Sequence, residues 1–461
     1  MLVLWGSNQS SGPAPVSYWI TSTSDANDFV YSSTVCIDSS GNSYSFGSYN
    51  IAGLITALIE KYNVNGVVQW QKGATTTSPP SLSQNAVFYT GFIDYSGNIY
   101  VAGVDQIENP VNSFVRNGLL AKYNSSGVLQ WQRELTDPFF STFTGYLGLY
   151  VDSSGNIYLT GETDLPSSGD WGDILIAKYN SSGVFQFANS LSDPASSSYN
   201  IGFAITVDSS GNYYVVGYTS APTGDAYNDG YIAKFNSSNV LQWQKGYNYN
   251  PAARQDQVNF ESAVLDSSGN IYCCGESAND FTSFNLGIVA KFDSSGTIVW
   301  QRNLSDSVSG MGLKSIAIDS SGNLYVAGIY YNSSTNGDAI ITKYNSSGVL
   351  QWQRSITSSL SSPSNMRINS IKVDSSGNYY ISGTDYYGLQ NALTMKFPTD
   401  GSRTGTYGYY TYAASSFVDS AAGLNSYSGP LSYGTPSLTA ITGNLTVTTP
   451  DPTLSTTVTI V

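Results

Sequence analysis

The sequence predicts an all-β protein built from seven copies of a four-stranded antiparallel unit. One string, Asp-Ser-Ser-Gly-Asn-x-Tyr-x-x-Gly or a close variant, occurs seven times at spacings of 53 to 58 residues. A second string, typified by Lys122-Tyr-Asn-Ser-Ser-Gly-Val-Leu-Gln-Trp131, follows every copy of the first. Repeats of this length that are rich in turn residues and strand formers are typical of propeller blades, whereas solenoid coils have shorter or helical repeats. We therefore predict a seven-bladed β-propeller.

The two strings alternate along the chain without exception. Copies of the first, which we call the aspartate string, begin at Asp38, Asp94, Asp152, Asp208, Asp266, Asp319 and Asp374. Copies of the second, the lysine string, begin at Lys61, Lys122, Lys178, Lys234, Lys291, Lys343 and Lys396. One pair of strings therefore marks each predicted blade.

Each repeat divides into four short strands joined by two tight turns. An apolar stretch such as residues 204–207 precedes the aspartate string, and residues 98–103 alternate with period two after it, so the two form a hairpin. The third strand ends at the lysine, and Val-Leu-Gln-Trp-Gln forms the fourth. Asp-Ser-Ser-Gly suits a type I turn, because Asp accepts hydrogen bonds from the local backbone and Gly tolerates a positive φ.

The repeat also indicates how the ring closes. The fourth strand carries a Trp in five blades and Phe187 in the third, whereas the seventh copy has Gly405 at this place. Trp19 precedes Asp38 by 19 residues, the same gap as that from Trp300 to Asp319. We therefore expect residues near 16–22 to complete the seventh blade and to remove the exposed edges of the ring.

The chain then divides into an N-terminal arm at 1–15, the propeller at 16–403 and a C-terminal extension at 404–461. After residue 404 only Asp419 and Asp451 are charged, and the extension contains strand-like runs. Unpaired strands of this kind invite addition to a neighbour's sheet, so we expect an assembly or anchor segment. An alternative is that Tyr407 to Tyr412 supplies the fourth strand of the seventh blade.

The paired strings resemble the SBBP type of bacterial and phage β-propeller repeat. The residues that carry the resemblance are Asp152-Ser-Ser-Gly-Asn-Ile-Tyr158 and the lysine string at 122–131, and the match covers roughly residues 16–403. The resemblance implies a fold and no shared chemistry or catalytic residues. The low-charge, Ser/Gly/Tyr/Asn-rich composition also resembles that of virion structural proteins of tailed phages.

Composition excludes several classes of function. Acids outnumber bases 32 to 18, a formal charge of −14, which disfavours nucleic acid as a partner. The chain has no histidine, which removes the usual general base and the commonest metal ligand. The three cysteines lie in apolar runs and are expected to be buried free thiols. We expect no cofactor and no membrane span, and the start of the chain lacks the features of a secretory leader.

The predicted strand directions sort the loops onto two faces. The tight turns after the first and third strands share one face, the upper face, while the connections after the second and fourth strands share the lower face. The upper turns are nearly identical, and we expect their Asp and Lys to form a network of structural ion pairs. The lower loops vary, as in residues 104–116, 162–173, 218–229, 246–259 and 355–367. Variable loops on a rigid repeat scaffold are a candidate binding surface, with neutral drift as the alternative.

Candidate ligand-binding residues lie in these lower loops. Asp164, Asp170 and Asp173 surround Trp171, a group that suits a cation or a stacked sugar, and Tyr218 and Tyr386 offer further aromatic surface. We assign no catalytic, cofactor or metal residues, although two loop acids at a catalytic separation remain an alternative. The excess of acids on this face favours cations, neutral glycans or proteins over polyanions.

These observations favour a non-enzymatic structural or adhesion protein displayed on a larger assembly. A phage virion is the predicted assembly, with the chain as a capsid decoration, tail or fibre component made in the host cytoplasm. The arms 1–15 and 404–461 are expected to contact other virion proteins from the upper face, and the lower face to contact a host-surface glycan or protein. The alternatives are a carbohydrate-binding adhesin at the cell surface and a propeller glycosidase or lyase.

Overall fold

The structure, a computed structural model, describes residues 18–25, 29–51, 53–76, 84–109, 113–136, 144–163, 172–192, 199–220, 228–248, 257–278, 285–305, 310–331, 337–360, 365–387, 389–421, 425–428, 432–434, 439–441, 445–448 and 455–460. Within these residues the fold is all-β, which confirms the predicted class. No helix long and apolar enough to cross a bilayer is found in this part of the chain. The predicted arm at 1–15 lies outside the described residues.

The strands form seven antiparallel sheets arranged as seven blades. The chain begins with β1 (Trp19–Ser24), and the blades then follow in order. Blade 1 contains β2 (Val30–Ile37), β3 (Ser43–Ile51), β4 (Leu54–Tyr62) and β5 (Val68–Thr76); blade 2 contains β6 (Gln84–Ile93), β7 (Ile99–Asn109), β8 (Ser113–Tyr123) and β9 (Leu129–Thr136); blade 3 contains β10 (Thr144–Val151), β11 (Ile157–Thr163), β12 (Asp173–Tyr179) and β13 (Phe185–Ser192). Blade 4 contains β14 (Asn200–Val207), β15 (Tyr213–Ser220), β16 (Asn228–Phe235) and β17 (Leu241–Asn248); blade 5 contains β18 (Gln257–Leu265), β19 (Ile271–Ala278), β20 (Leu286–Phe292) and β21 (Ile298–Ser305). Blade 6 contains β22 (Met311–Ile318), β23 (Leu324–Tyr331), β24 (Gly337–Tyr344) and β25 (Leu350–Ser358); blade 7 contains β26 (Met366–Val373), β27 (Asn378–Tyr387), β28 (Leu389–Pro398) and β1.

The N-terminal strand closes the ring, as the repeat predicts. β1 pairs antiparallel with β28, with Trp19 opposite Lys396. The Trp19 side chain is fully buried, and its Nε1 donates a hydrogen bond to the carbonyl oxygen of Val64 at 3.0 Å. Trp300 and Trp352 make the corresponding bond to the next blade at 3.1 and 3.2 Å. Trp19 therefore provides for blades 7 and 1 the contact that a fourth-strand Trp provides elsewhere.

Each fourth-strand indole covers the glycine of the second tight turn in the following blade. A Cβ placed on these glycines would lie 2.4 to 3.1 Å from the ring, so a larger residue does not fit. The interface between blades 3 and 4 differs, because Phe187 takes the indole position and Asn239 takes the glycine position. Asn239 keeps the left-handed backbone of the turn, with φ of 65°. The smaller ring and the larger turn residue occur together.

The aspartate string builds the first tight turn of every blade. In blade 1, Asp38 Oδ1 accepts hydrogen bonds from the backbone N–H groups of Ser40 and Asn42 at 2.9 Å. Its Oδ2 accepts from Asn42 Nδ2 at 2.8 Å and from the Tyr44 hydroxyl at 3.1 Å. The two backbone bonds and the Asn bond recur in all seven copies, and the Tyr bond in six. The string is therefore a turn motif.

The expected network of Asp–Lys ion pairs is largely replaced by another contact. Among the described residues only Lys291 reaches its turn aspartate, Asp266, at 4.0 Å. In all seven blades the lysine instead lies 4.6 to 5.4 Å from the ring centroid of the string's own tyrosine. The physical reason is that the tyrosine stands between the two charges, with its hydroxyl on the carboxylate and its ring face against the ammonium group.

The C-terminal extension adds strands to the ring itself. It contains β29 (Gly405–Tyr407), β30 (Tyr410–Ala414), β31 (Val418–Ala421), β32 (Asn425–Ser428), β33 (Ser432–Gly434), β34 (Thr439–Ile441), β35 (Leu445–Thr448) and β36 (Ser455–Ile460). Strands β30 to β36 pair antiparallel with the outermost strands of blades 6, 5, 4, 3, 2, 1 and 7, in that order. The extension thus runs once around the ring, and we call it the belt.

The belt differs from the expected free arm. Its strands do add to sheet edges, but the edges belong to the same chain, which offers seven unpaired outer strands at high effective concentration. The alternative that Tyr407 to Tyr412 completes blade 7 is wrong, because β29 and β30 lie in the sheet of blade 6. Contacts between residues 404–461 and other virion proteins stay a prediction.

Candidate binding site in the central channel

The innermost strand of every blade contains a β-bulge at the same position. The register against the second strand shifts by one residue at this point in all seven sheets. A bulge leaves one residue outside the ladder and re-aims its side chain. The seven bulged residues, which we call the bulge ring, are Ser33, Tyr89, Leu147, Phe203, Glu261, Lys314 and Asn369.

The last glycine of each aspartate string makes this bulge possible. These glycines face the inner strand just before the bulge, as Gly217 does opposite Gly202. A Cβ on Gly217 would lie 1.8 Å from the carbonyl oxygen of Ile201, and the other six copies give 1.8 to 2.0 Å. No side chain fits at that distance, so the glycine is required by the bulge. The sequence repeats this glycine seven times, and that signal was available before the structure.

The bulge ring lies in a central channel of about 1140 Å³. All seven bulged residues line the channel, together with their neighbours on the inner strands. The channel extends to the tight turns at Asp208 and Asp266 on the upper face and to Tyr331 and Tyr386 on the lower side. Ligand sites in proteins are typically concave and a few hundred to a thousand Å³ in volume, so the channel is large enough to hold a ligand.

One sector of the channel carries an ionic cluster. Lys314 Nζ lies 2.6 Å from Glu261 and 3.5 Å from Glu276. Asn285 Nδ2 donates a hydrogen bond to Glu276 at 3.0 Å. Burial raises the pKa of Glu261, while Lys314 opposes that rise. Burial alone would lower the pKa of Lys314, but the two carboxylates outweigh it and the pKa stands above its ordinary value.

A second sector is aromatic. Phe203 packs against Tyr218 with ring centroids 5.7 Å apart, and Tyr199 lies 6.3 Å from Tyr218 on its other side. The Tyr199 hydroxyl donates a hydrogen bond to Glu162 at 2.8 Å. Burial raises the pKa of Glu162, and the tyrosine hydroxyl and Arg116 oppose the rise. This wall joins a flat apolar surface to a hydrogen-bonded carboxylate.

The third sector lies where blades 7 and 1 meet. The Arg367 guanidinium lies 5.1 Å from the ring centroid of Tyr386. Asn369 Nδ2 donates a hydrogen bond to the Ser32 carbonyl oxygen at 2.7 Å, which joins the two inner strands. Two buried polar atoms here, Arg367 Nε and Ser33 Oγ, have no hydrogen-bond partner among the described residues. Burial raises the pKa of Tyr31, which lies in the same sector, to about 12.

The predicted ligand residues are divided between described and undescribed parts of the chain. Asp164, Asp170 and Trp171 lie outside the described residues. Asp173 begins β12 opposite Thr163 and is fully buried. Tyr218 and Tyr386 both lie next to the channel, in the second and third sectors. Their role in binding stays a prediction, and the bulge ring is the set of residues that sequence reasoning missed.

The described residues offer little for redox or metal chemistry. No group of three or more metal-ligating side chains occurs in this part of the chain. Cys36, Cys273 and Cys274 are free and buried. Cys36 lines the channel, where burial raises the pKa of its thiol to about 11 and its Sγ donates to the Gly91 carbonyl oxygen at 3.1 Å. A thiol with a raised pKa is a poor nucleophile near neutral pH.

Comparisons with known proteins find only distant likeness to solved structures. No family model and no curated protein matches the chain. Among solved structures, the polysaccharide lyase Uly1 matches at 10% identity over 80% of this chain and 90% of its own, with a TM-score of 0.45. The β-propeller domain of the Trilobed protease from Pyrococcus furiosus, described as having an open velcro topology, matches at 11% identity over 82% and 99%, with a TM-score of 0.43. A protein of unknown function from Bacteroides caccae matches at 13% over 62% and 94%, with a TM-score of 0.34. Likeness at this level carries no argument, and the fold rests on the structure of the chain itself.

Proposed function

We propose that this protein is a non-enzymatic adhesion protein, in which a rigid propeller displayed on a larger assembly binds a partner at the lower mouth of its channel. The observation that carries the proposal is the bulge ring. Its seven positions are structurally equivalent, yet they hold seven different residue types: Ser, Tyr, Leu, Phe, Glu, Lys and Asn. The position after each bulge holds only a small residue, Thr, Gly, Ala or Ser, whereas the position before it varies as well.

The bulged residues occupy equivalent places in the seven blades but differ in chemistry, and this supports a binding role. Positions that the turn and the bulge themselves require hold one residue type in every blade, as the seven turn aspartates and the seven bulge glycines do. The bulge ring instead combines an ionic, an aromatic and a polar sector around one opening. Such an asymmetric lining suits an asymmetric ligand, and rigid scaffolds commonly carry their binding residues at such special positions.

The belt supports the display part of the proposal. It gives every blade a fifth strand, so that the outer edges of the four-stranded sheets are no longer free to pair with other chains. The channel mouths and the loops then remain as surfaces for recognition. The identity of the assembly stays the prediction made from composition, a phage virion, with a cell-surface adhesin as the alternative.

One observation favours a second candidate, a propeller glycosidase or lyase. Burial raises the pKa values of Glu162 and Glu261, and raised carboxyl pKa values are found in general acids. Both carboxylates, however, already have partners, since Glu162 accepts from Tyr199 and Glu261 holds Lys314. We therefore favour binding without turnover.

Site-selective blocking tests the proposal. The native cysteines are buried, so a cysteine introduced at an exposed position accepts a polyethylene glycol maleimide alone. Leu54, on the lower face, is 46% exposed, and Val128, on the upper face, is 55% exposed, which makes a matched pair. We expect labelled Leu54→Cys to lose adhesion to a panel of living bacterial cells and labelled Val128→Cys to keep it.

Two results would contradict this assignment. Equal loss of adhesion from both labelled variants, or no adhesion by the unlabelled chain, would remove the lower mouth as the binding surface. Release of reducing ends from cell-surface polysaccharide, abolished in Glu261→Gln at an unchanged melting temperature, would replace binding with catalysis.

A further inference from the structure

We propose that the third sector of the channel binds the carboxylate of an acidic sugar at the end of a glycan chain. The inference rests on the proposed function and names the ligand of its binding site. The acidic-sugar site consists of Tyr31, Ser33, Tyr89, Arg367, Asn369 and Tyr386, all of which line the channel.

The uncompensated charge of Arg367 is the first observation. Arg367 makes no ion pair with an acid among the described residues, and its Nε is buried without a hydrogen-bond partner. Two other cations line the channel, Lys314 and Lys372, and Lys314 is held between Glu261 and Glu276. A guanidinium group presents its donors in a planar fork that matches a carboxylate, which the ammonium group of a lysine does not, so Arg367 suits a carboxylate ligand.

The orientation of Arg367 is set by its neighbours. The guanidinium packs on the ring of Tyr386 at 5.1 Å, which holds the long side chain against one wall. A side chain held in this way loses less conformational freedom when a ligand binds. Arg367 and Tyr386 come from neighbouring strands of one sheet, β26 and β27, so the rigid blade carries both.

A second polar group without a partner lies on the adjacent blade. Ser33, a bulge-ring residue of blade 1, is 8% exposed, and its Oγ has no hydrogen-bond partner among the described residues. The Asn369 side chain joins blades 7 and 1 next to it through the Ser32 carbonyl oxygen. Buried polar groups are usually paired, and these two unpaired ones differ from most others in that both residues line the channel, from the inner strands of adjacent blades, where a ligand's polar atoms can complete the pairing.

Aromatic side chains complete the site. Tyr31 lies within electrostatic range of Tyr386, Lys314, Tyr89 and Arg367, and all three tyrosines line the channel together with Arg367 and Ser33. Tyrosine offers a flat apolar face and a hydroxyl, which together match the C–H face and the hydroxyls of a sugar ring. A carboxylate beside such a ring defines an acidic monosaccharide rather than a free inorganic anion.

The overall negative charge restricts the ligand to a chain end. A net charge of −14 repels a polyanion at long range, but the field falls off over about 8 Å at physiological ionic strength. A single terminal carboxylate that enters the mouth meets Arg367 inside that distance. We therefore assign a glycan terminus with one acidic sugar, and not an extended polyuronate.

Calorimetric titration of the full chain tests the assignment with paired ligands. The acidic members are a glucuronate-terminated oligosaccharide and sialyllactose, and their neutral counterparts are the glucose-terminated oligosaccharide and lactose. We expect the acidic member of at least one pair to bind ten times or more tightly than its neutral counterpart, with affinity falling as salt rises. Equal affinities within both pairs, or no binding to any of the four ligands, would overturn the assignment. The proposed function would still stand in that case if the labelling experiment showed adhesion that depends on the lower face.

Variants separate a ligand contact from a structural role. Arg367→Gln is expected to reduce acidic binding to the neutral level, and Arg367→Lys, which keeps the charge without the fork, to fall between the two. Arg403 gives a matched control, because its guanidinium also lies 5.1 Å from a tyrosine ring, that of Tyr18, outside the channel. Acidic binding that survives in Arg367→Gln, or falls equally in Arg403→Gln, would overturn the assignment. Free glucuronic acid, tested alone, shows whether the monosaccharide suffices or the rest of the glycan is needed. Tight binding of the free acid without binding of the acidic oligosaccharides would also refute a glycan terminus as the ligand.

Discussion

Phe187 and Asn239 occupy the positions of a Trp and a Gly that meet at the other six blade interfaces, and we expect them to be energetically coupled. Phe187→Trp alone places an indole against the Asn239 side chain, where the other interfaces tolerate no Cβ without a contact of 2.4 to 3.1 Å. Overpacking of this kind costs about 1–3 kcal/mol. The single substitution should therefore destabilise the protein although it restores the repeat.

Asn239→Gly alone should also destabilise the protein. Glycine adopts the positive φ of this position with less strain than Asn239 does. The Asn239 side chain, however, accepts hydrogen bonds from Asn189 Nδ2 at 2.9 Å and from the Tyr213 hydroxyl. Its removal takes the acceptor of both hydrogen bonds away, at about 1–3 kcal/mol for each bond lost. In the double variant the indole covers a glycine, as it does at Gly183 and Gly348, so the penalty of overpacking disappears. We expect a favourable coupling of about 1–3 kcal/mol between the two substitutions.

Urea unfolding of the four proteins in this cycle measures the coupling. The matched control is the reverse exchange at the preceding interface, with Trp131→Phe and Gly183→Asn. There Gly183→Asn alone should be strongly destabilising, because a Cβ on Gly183 would lie 2.8 Å from the Trp131 ring, and Trp131→Phe should partly rescue it. Additive effects in both cycles, within about 0.5 kcal/mol, would refute the idea that ring size and turn residue determine each other.

Three further predictions concern the bulge, the belt and a buried acid. Gly217→Ala forces a Cβ to within 1.8 Å of the Ile201 carbonyl oxygen and should lower the free energy of unfolding by about 3 kcal/mol or more. The control is Gly53→Ala, where a Cβ meets nothing within 4 Å and the cost should be about 1 kcal/mol. Equal melting temperatures for the two variants would contradict this. A chain that ends at residue 421 lacks β32 to β36 and exposes the outer strands of five blades, so light scattering should show concentration-dependent association. A chain that ends at residue 454 loses only β36 and should associate less. Two equally monomeric products would show that the belt does not protect the edges. Burial raises the pKa of Glu60 above its usual 4.5, although Tyr62, Gln71 and Thr23 oppose the rise by donating to its carboxylate. The stability that Glu60 contributes is therefore present below its unfolded-state pKa and is lost as pH rises through the folded-state pKa. The urea midpoint of the natural protein, measured relative to that of Glu60→Gln, should rise as pH falls from 8 towards about 4.5. A constant difference between the two midpoints would show that Glu60 stays ionised.

The architecture was predictable because its determinants are local and repeated. The aspartate string contains the turn aspartate, the asparagine that bonds to it and the strand that follows, all within ten residues. Seven copies at a nearly constant spacing then define the number of blades. Trp19 identified the closing strand for the same reason, since it precedes Asp38 by the gap that separates Trp300 from Asp319, and it donates the same kind of hydrogen bond to the next blade as Trp300 does.

Other features depend on which elements meet in space. The lysine and the turn aspartate do approach the same face, but the tyrosine that lies between them changed the expected ion pair into a cation–π contact. The belt strands have the composition of strands, yet composition does not say whose edge they join. The bulge ring was marked by the repeated glycine, as at Gly217, but the reason for that glycine is a carbonyl oxygen contributed by another strand.

The amino-acid sequence alone determined the class of the fold, the seven blades, the turn chemistry and the closing strand, because these follow from short-range patterns whose physical meaning does not change from one copy to the next. Only the tertiary structure decided that the C-terminal segment encircles the ring and that seven dissimilar residues meet in one channel. Strand partners and channel walls are set by proximity between distant segments, so the packing of Arg367 on Tyr386, in the channel that Ser33 also lines, becomes visible only when the ring is closed.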